Sequence, residues 1–456
     1  MNKKWYLLLG LALLVVLVFV FWPLGRKNLA VKGDGNVTIT VWDKLPPYEK
    51  QTPEERLQWE LQKQFARENP QIKVKHTTEP PMGNASNWTQ VITTVLAGSA
   101  DQTIVNKGLN PAIYRSLAQK GYFVDLTKEI EGWDEFDKIN PNIVDAIRSN
   151  GKIYGMPAFY DVLTLAYQNS LFREAGLDPN TPPEDWNDLV TYAQKLTKPE
   201  KHQYGFTILG TDFADWWLEM FVWQAGGDLT TVQNDGTVKL RYTEQPVVRA
   251  LEFWHDLVYK YKVVQKNPLM DLQQIFQDWT QGRVAMTIFS PNWVSWQVEQ
   301  GLKPEDISLA PLPRDREAAT AMAFQVWAIN AKASPEQVKA ACKYIKFMLG
   351  HQSAMHKMQW RKNNGVQEID LPIYQDIDVS SYYTNLPKDW LPAIKESNKI
   401  ARMEYFGKEM FCGPLVKVIQ TVLMKPQVNI PKLLAQAEKE TYETYINKYN
   451  RRVTRR

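Results

Sequence analysis

The sequence predicts an α/β fold made of two lobes, each a doubly wound sheet flanked by helices. A chain of 456 residues exceeds what one hydrophobic core usually organises, and it suggests two lobes of roughly 200 residues each. Strand-like and helix-like segments alternate, and several strands are apolar on both faces, as in sheets that helices cover on both sides. Apolar and charged residues make up 44% and 23% of the chain, which excludes a disordered protein.

The first lobe is predicted from elements that alternate from residue 36 onward. Residues 36–41 alternate apolar and polar side chains, as a strand does. Thr52 and Glu55 form the capping box of a helix that ends before Pro70. Further predicted elements of this lobe are a strand at 72–75, a helix at 88–96 and a strand at 103–105.

Residues 140–197 are the stretch around which the rest of the chain is organised, and they combine clear turn, strand and helix signals. Asn150-Gly151 predicts a tight turn, since both residues tolerate positive φ. The extended segment that follows should end at Pro157, which has no amide hydrogen for a sheet ladder. Residues 162–167 are apolar on both faces and predict a buried strand, which a short helix follows.

The second lobe is predicted to be rich in helices. Its predicted elements are helices at 186–196, 212–223 and 247–261 and a strand at 205–208. The helix at 212–223 is strongly aromatic and leads into Gly226-Gly227. Ser334 begins a capped helix that reaches residue 347, and residues 400–446 predict further helices.

Two motifs in this chain carry a family resemblance. Residues 151–177 contain a Gly-Lys-x-Tyr-Gly-x-Pro turn, a strand that ends in Tyr-x-Asn, and Leu-Phe-x-x-Ala-Gly-Leu. Residues 282–293 join Gly-x-x-Ala-Met to Pro-x-Trp. Both motifs resemble the extracellular solute-binding proteins of ABC importers, in the carbohydrate-binding branch (family 1) that includes the maltodextrin-binding proteins. The resemblance extends over about residues 37–446.

The resemblance implies a two-lobed periplasmic-binding-protein-like fold of type II, in which several hinge crossings join the lobes. An N-terminal anchor and linker would occupy residues 1–36 and a basic tail residues 447–456. The implied order between them is lobe 1 at 37–157, a hinge at 158–161, lobe 2 at 162–282, a return to lobe 1 at 283–322, a hinge at 323–327 and lobe 2 again at 328–446.

The chain departs from the family pattern at three places. Asp185 precedes the helix-opening Trp186 where the family usually has Thr, and both residue types cap a helix well. The segment before Asp101 lacks a proline that the family commonly has there. Ala323-Phe324 stand where the family often has Gly-Gly, so we expect a side chain to replace a close backbone approach to the ligand.

Residues 1–36 predict a signal anchor. An uncharged apolar run of 21 residues extends from Trp5 to Gly25, which is enough to cross a bilayer as a helix of ~30 Å. A cleaved signal peptide is the alternative, but residues 28–30 form a poor cleavage site. No cysteine lies nearby to carry a lipid. We therefore expect an uncleaved transmembrane helix, and the resemblance puts the body on the outer (extracellular or periplasmic) face of the cytoplasmic membrane.

The charge distribution excludes a nucleic-acid-binding body. Residues 1–36 hold five basic residues and one acidic residue, and the remaining 49 basic and 49 acidic residues balance. We therefore expect no nucleic-acid partner. Cys342 and Cys412 are the only two cysteines, and the sequence leaves open whether they form a disulfide or remain two buried free thiols.

No motif predicts catalysis, a cofactor or a metal. The sequence contains no P-loop, no Gly-x-Ser-x-Gly, no Cys-x-x-Cys and no His-Glu-x-x-His. His351 and His356 are five residues apart, which takes them off the shared helical face that a metal pair needs. A glycoside hydrolase would need two carboxylates across one cleft, and no local pattern nominates such a pair. We therefore expect no enzyme activity.

Candidate ligand-binding residues follow strand ends, where open α/β sheets bind their ligands. Aromatic rings suit the apolar faces of sugars, and the chain has 17 Trp and 20 Tyr. Amide and carboxylate groups would bond hydroxyls, whereas Lys107 could pair with a carboxylate or phosphate. The candidates are Trp42, Asp43, Asn106, Lys107, Tyr160, Asp161, Trp216, Trp217, Gly227, Asn292, Trp293, Phe324 and Gln325.

The resemblance implies a monomeric receptor without a cofactor. It would close its lobes on a sugar or oligosaccharide and deliver this solute to the membrane permease of an ABC transporter. One alternative is a surface receptor or adhesion module that reuses the fold without transport. Another is a receptor for an anionic or phosphorylated solute that is not a sugar.

Overall fold

The computed structural model describes residues 36–78, 88–98, 101–211, 213–366, 369–384 and 386–454. The predicted transmembrane helix lies outside these ranges. Within them, no helix is both long enough and apolar enough to cross a bilayer.

Strands and helices alternate over most of the described chain. The strands are β1 (Val37–Val41), β2 (Ile72–His76), β3 (Ile104–Val105), β4 (Arg148–Ser149), β5 (Lys152–Ile153), β6 (Gly155–Val162), β7 (Thr164–Gln168), β8 (Thr230–Val232), β9 (Val238–Leu240), β10 (Met286–Phe289), β11 (Ile307–Ala310), β12 (Thr320–Ile329) and β13 (Ala401–Arg402). The helices are α1 (Pro53–Glu68), α2 (Trp88–Gly98), α3 (Pro111–Gln119), α4 (Thr127–Glu131), α5 (Pro141–Ile147), α6 (Asn169–Glu174), α7 (Trp186–Leu196), α8 (Ala214–Gln224), α9 (Gln245–Tyr259), α10 (Leu272–Thr280), α11 (Pro291–Glu299), α12 (Pro335–Leu349), α13 (His351–Asn364), α14 (Trp390–Lys399), α15 (Lys408–Met424), α16 (Ile430–Thr441) and α17 (Asn447–Val453).

Lobe 1 is built on a sheet in which β1, β2 and β3 run parallel. β1 pairs with β2 on one side and with β3 on the other, and β12 adds to β3 in the antiparallel direction. Helix α1 lays Leu57, Leu61 and Phe65 into the core, as its amphipathic pattern requires. The predicted capping box between Thr52 and Glu55 is present.

Lobe 2 contains a sheet of three strands. β7 lies in its centre and pairs antiparallel with β10 on one side and β11 on the other. The prediction that residues 283–322 return to lobe 1 is therefore wrong. The prediction of a doubly wound sheet, a type whose strands run mostly parallel, is also wrong for these three strands. Buried apolar strands have the same pattern in either sheet, so the pattern could not decide which partner they take.

The predicted strand at 205–208 forms no ladder. Tyr204 and Gly205 accept backbone hydrogen bonds from Ala285 and Met286, but residues 206–208 belong to no strand. Phe206 and Ile208 are nevertheless buried, so these apolar side chains serve the core without strand pairing.

The assignment of residues 328–446 to lobe 2 is wrong for their first part. Helix α12 packs on β1, and α13 packs on α1, so both helices belong to lobe 1. Helices α15 and α16 pack with α8 and α9, and they belong to lobe 2. The chain therefore crosses between the lobes once more, between α13 and α15.

Two crossing strands lie side by side between the lobes. β6 pairs antiparallel with β12, in a register that joins Asp161 to Ala323 and Gly155 to Ala328. β6 passes through Pro157 instead of ending there, which corrects the prediction. The ladder tolerates this proline because a bulge follows Gln325 and because the facing Val326 donates its amide to Leu109 instead.

Tryptophans fill the interior of lobe 2. Trp217, Trp223, Trp254 and Trp279 are all completely or almost completely buried. The two cysteines form no disulfide, and Cys342 is buried while Cys412 is partly exposed. Of the two alternatives that the sequence left open, the structure has two thiols and no disulfide.

Candidate functional site

A cavity of ≈ 510 Å³ lies at the carboxyl end of β3, beside the crossing strands. This position is where ligands of open α/β sheets bind. Its walls come from the first half of α1, the loop after β3, the crossing strands β6 and β12, helix α13 and residues 370–372. The polar and aromatic side chains that line it are Glu54, Gln58, Asn106, Lys107, Phe159, Gln325, Trp327, Lys357, Arg361 and Asp370.

The loop after β3 forms one rim of the cavity and is held rigidly. The Asn106 side chain accepts a hydrogen bond of 3.2 Å from the Trp42 amide and donates one of 3.4 Å to the Trp42 carbonyl. Gly108 has a φ of 68°, a conformation that favours glycine and lets the chain turn into α3. Lys107 between them is exposed, and it has no hydrogen-bond or ion-pair partner among the described residues. The cavity rim therefore presents an ammonium group on a fixed backbone.

A chain of charged hydrogen bonds joins lobe 1, the hinge region and lobe 2 along the cavity. Arg361 on α13 donates to Glu54 over 2.6 Å and to Asp370 over 2.8 Å. Asn292 at the start of α11 donates to the other oxygen of Asp370 over 2.9 Å. Burial acts to lower the pKa of Arg361, but the charges of Asp370 and Glu54 outweigh it and raise that pKa well above its ordinary value.

Asp161 lies on the crossing strand β6 and is fully buried. Burial raises the pKa of its carboxyl to about 8, and the charge of Asp370 acts in the same direction. Hydrogen bonds from Ser290 and from the backbone of Val162 and Asn292 oppose this rise only in part. Asp161 is therefore largely protonated at neutral pH, and its carboxyl can donate a hydrogen bond as well as accept one.

Lys357, which lines the cavity from α13, is tied to the protein. It donates to the Met348 carbonyl over 3.0 Å. Burial lowers the pKa of its ammonium to about 8, and the charge of Arg361 contributes to this shift. Lys107 is thus the cationic side chain at this cavity that the described residues leave available to a ligand.

Lobe 2 contributes an aromatic wall next to Asn292. Trp293 lies edge-on to Trp216, with ring centroids 6.3 Å apart, and edge-on to Phe276, with centroids 5.7 Å apart. Lys408 holds its ammonium 5.1 Å from the ring centroid of Trp216. Trp293 is half-buried, so part of its ring remains open to solvent. Such a ring can stack on the apolar face of a sugar.

Behind this wall lies a cluster of buried charged groups. Lys408 is ion-paired with Glu404 at 3.0 Å, and Asp215 accepts a hydrogen bond of 2.7 Å from Tyr405. Burial raises the pKa of Asp215 and raises that of Glu219 well above its ordinary value. The protonated forms of the two acids are thereby favoured, so the cluster supports the aromatic wall without several uncompensated negative charges.

The structure brings seven of the predicted site residues to the cavity or its surroundings. Asn106, Lys107 and Gln325 line the cavity itself. Asp370 also lines the cavity; Asn292 donates a hydrogen bond to it, and Asp161 interacts with its charge. Trp216 and Trp293 form the aromatic wall next to Asn292.

The structure places the other six predicted residues in supporting positions. Asp43 accepts hydrogen bonds from Gln62 and Tyr344 and lies 2.6 Å from His76, so it braces lobe 1. Gly227 is needed because a Cβ there would lie 2.5 Å from Pro246. The remaining four side chains are buried in the core; they are Trp42, Tyr160, Trp217 and Phe324.

Sequence reasoning missed several residues of the cavity. Glu54 and Gln58 lie on the first turns of α1, and the N-terminus of a helix that follows the first strand could have pointed to them. Phe159 lies within the predicted hinge but was not predicted to contact the ligand. Arg361 and Asp370 carried no local signal, because Glu54, which binds Arg361, is 307 residues away in the chain, and Asn292, which binds Asp370, is 78 residues away.

No group of three or more His, Cys, Asp or Glu side chains in the described part of the chain is arranged to hold a metal ion. The cavity is thus lined by hydrogen-bonding, cationic and aromatic groups, which suit a polar organic solute.

A family model of the bacterial extracellular solute-binding proteins matches residues 52–355. The chain belongs to this family. The resemblance predicted from the motifs at 151–177 and 282–293 is confirmed. Members of this family and the curated relatives of the chain are binding proteins rather than enzymes.

Individual relatives of this solute-binding protein are similar over most of their length. The multiple sugar-binding protein of Streptococcus mutans is 24% identical over 359 residues, which cover 76% of this chain and 79% of the relative. A solute-binding protein from Thermotoga lettingae, solved with α-D-tagatose, matches 90% of this chain and 99% of its own, with a TM-score of 0.72 and 20% identity. An ABC substrate-binding protein from Listeria monocytogenes, solved with cycloalternan, matches the same shares with a TM-score of 0.72 and 22% identity. These structures confirm the two-lobed fold.

Proposed function

We propose that this solute-binding protein captures a sugar or oligosaccharide between its lobes and delivers it to the permease of an ABC importer. The observation that carries the proposal is the cavity beside β6 and β12, two crossing strands at the junction of the lobes, in a chain of this family. The sugar-binding relative from Streptococcus mutans supports the choice of cargo.

The chemistry of the cavity supports a polyhydroxylated solute. Asn106, Gln58 and Gln325 offer amide donors and acceptors for hydroxyl groups, and Phe159 and Trp327 add aromatic rings to the lining. A sugar presents both kinds of surface, since its ring carries apolar C–H faces and polar hydroxyls. Trp293 on lobe 2 would meet the solute when the lobes close.

The carboxyl groups of the site are held by other residues, which supports a role in binding and not in catalysis. A glycosidase needs two carboxyl groups free to act on opposite sides of the bond that breaks. Asp370 is engaged by Arg361 and Asn292, and Asp161 is engaged by Ser290 and two backbone amides. We therefore propose that these acids shape and stabilise the cleft.

Thermal shift of the body, residues 37–456, against mono- and oligosaccharides and sugar phosphates tests the proposal. A ligand present at 100 times its dissociation constant should stabilise the folded protein by about 2.7 kcal/mol. Stabilisation by a single class of sugar is the expected result. A folded protein that no sugar stabilises, and that an anionic solute without a sugar ring does stabilise, would refute the sugar assignment.

We further propose that residues 1–36 anchor this receptor at the outer face of the cytoplasmic membrane. The apolar run from Trp5 to Gly25 and the absence of a cysteine nearby support an uncleaved anchor. Such an anchor would keep the receptor close to its permease and raise the effective concentration of the receptor there. Fractionation of cells that express the full chain, with N-terminal sequencing of the product, tests this. A soluble product that starts near residue 30 would contradict it.

A further inference from the structure

Trp296 on helix α11 is unusually exposed for a tryptophan. Its exposed fraction is 54%, the largest among the exposed tryptophans, tyrosines and phenylalanines of the described residues. Helix α11 buries Pro291, Val294, Ser295 and Gln297, so these side chains attach one face of the helix to lobe 2. Trp296 lies on the opposite, open face.

The open face of α11 also carries the residues that approach the cavity. Asn292 is four positions before Trp296, and positions i and i+4 of a helix share one face. Asn292 reaches Asp370 at the cavity wall. Trp296 is therefore one helical turn, about 6 Å along the axis, farther from the cavity on the same face. Side chains on a helix lean toward its N-terminus, so this indole leans back toward Asn292.

An aromatic row leads from the interior of lobe 2 to Trp296. Trp216 contacts Trp293, Trp293 contacts Phe276, and Phe276 contacts Trp296 with ring centroids 6.3 Å apart at 84°. Each contact is edge-to-face, which leaves a ring face of the outermost member uncovered. Trp216 and Phe276 are buried, Trp293 is half-buried and Trp296 is exposed, so the row ends at the protein surface.

We propose that Trp296 is an outer stacking subsite for a sugar ring, so that the solute is an oligosaccharide that extends out of the cavity along α11. This inference rests on the proposed function and specifies the size of its cargo. The inner ring would occupy the cavity, and a later ring would stack on Trp296 after passing Trp293. Asn292 joins the open face of α11 to the cavity wall at Asp370. A chain of linked sugar rings that starts in the cavity can therefore continue along this face, and we take such a chain as the occupant.

Isothermal titration of the full chain, as wild type and as Trp296→Ala, with α- and β-linked glucose oligomers of one to four units tests this subsite. We expect the variant to bind the shortest ligand as wild type does and the longer ligands about three- to tenfold more weakly. Trp296→Phe should restore most of the loss, because it keeps an apolar ring. Trp59→Ala, which removes a half-buried tryptophan on the outer side of α1, is the matched control and should leave every affinity unchanged.

The outcomes separate this inference from the proposed function. If wild type binds sugars and Trp296→Ala weakens ligands of every length equally, or none of them, the subsite is refuted while the receptor function stands. If wild type binds none of these oligomers and none of the sugars in the thermal-shift panel, both fail. Longer ligands should also protect Trp296 from acrylamide quenching, and the difference between wild type and Trp296→Ala in that quenching reports stacking directly. Unchanged affinities with reduced transport in cells would instead assign Trp296 to the permease contact and overturn the subsite.

Discussion

Asn292 of lobe 2 donates a hydrogen bond of 2.9 Å to Asp370, whose other carboxylate oxygen is held by lobe 1. That second oxygen accepts from Arg361 over 2.8 Å, and Arg361 also binds Glu54. One carboxylate thus bridges the two lobes next to the cavity. Because Asp370 touches both lobes, this bridge is complete only in an arrangement that keeps α11 near α13.

Asp370→Asn should weaken the bridge without removing its shape. The amide cannot accept from both Arg361 and Asn292 as the carboxylate does, and the buried Arg361 loses one of its two carboxylate partners and keeps Glu54. We expect the free energy of unfolding to fall by about 1–3 kcal/mol and sugar affinity to fall with it. Urea denaturation and calorimetric titration measure the two effects.

Asp376→Asn is the matched control for this bridge. Asp376 also pairs with two side chains, His351 and Lys138, but on the surface of the protein. Exposed ion pairs contribute little, so the control should change stability by less than about 1 kcal/mol and leave affinity unchanged. Equal effects of the two substitutions would contradict a special role for Asp370.

Asp161 should make the protein less stable as pH rises. Its folded-state pKa is raised from 3.8 to about 8, so between these pH values the folded protein holds a proton that the unfolded chain has released. The folded state then binds more protons than the unfolded state, and the free energy of unfolding decreases with rising pH. The contribution is constant below about pH 4 and again above the folded-state pKa.

Asp161→Asn removes this dependence because an amide does not titrate. We expect the melting temperature of the variant to rise relative to wild type from pH 4 to pH 8, with any constant offset from the altered hydrogen bonds. Asp145→Asn, at an exposed position of α5, is the control and should run parallel to wild type. A difference between Asp161→Asn and wild type that stays flat from pH 4 to pH 9 would contradict the raised pKa.

Lys107→Gln should weaken the binding of anionic ligands and leave the binding of neutral ones unchanged. Lys107 lies at the cavity rim without a partner among the described residues, so it is free to pair with an anionic group. We expect a uronic acid or sugar phosphate to lose about two- to fivefold in affinity, and the matched neutral sugar to lose nothing. Added salt should reduce the difference by screening. Lys303→Gln, at an exposed site of lobe 2, is the control, and an equal loss for neutral and acidic sugars would contradict this role.

Two tryptophans that the sequence nominated together should behave differently on substitution. Trp217 is completely buried, so Trp217→Ala should lower the free energy of unfolding by about 3–5 kcal/mol and leave affinity unchanged in the folded fraction. Trp293 is half-buried, so Trp293→Ala should cost less stability and weaken sugar binding about tenfold. Paired denaturation and titration experiments would show a reversed order if the assignments were wrong.

Local patterns predicted the elements of this protein well. The capping box at Thr52 and the N-caps at Ser334 and Asp185 are present as predicted, because each involves side chains only two or three residues from the backbone groups they bind. The motifs at 151–177 and 282–293 were enough to identify the family, which the family model confirms.

Pairings between distant segments could not be predicted in the same way. β10 and β11 have the apolar pattern of any buried strand, and their partner β7 is more than 100 residues away in the chain. Asp43 was predicted as a ligand contact because it follows the end of a strand, and Trp217 because it lies on the aromatic helix that leads into Gly226-Gly227. Their surroundings, Tyr344 for Asp43 and the core of lobe 2 for Trp217, come from other parts of the chain.

The sequence by itself determined the alternation of strands and helices, the caps that begin the helices, and the family. Those properties depend on side-chain periodicity and on hydrogen bonds between near neighbours. Only the tertiary structure decided which lobe each strand joins, that Arg361, Glu54 and Asp370 meet, and that Trp296 stays open beside the cavity wall. Burial and ion pairing depend on which distant residues come together, and no local pattern specifies that.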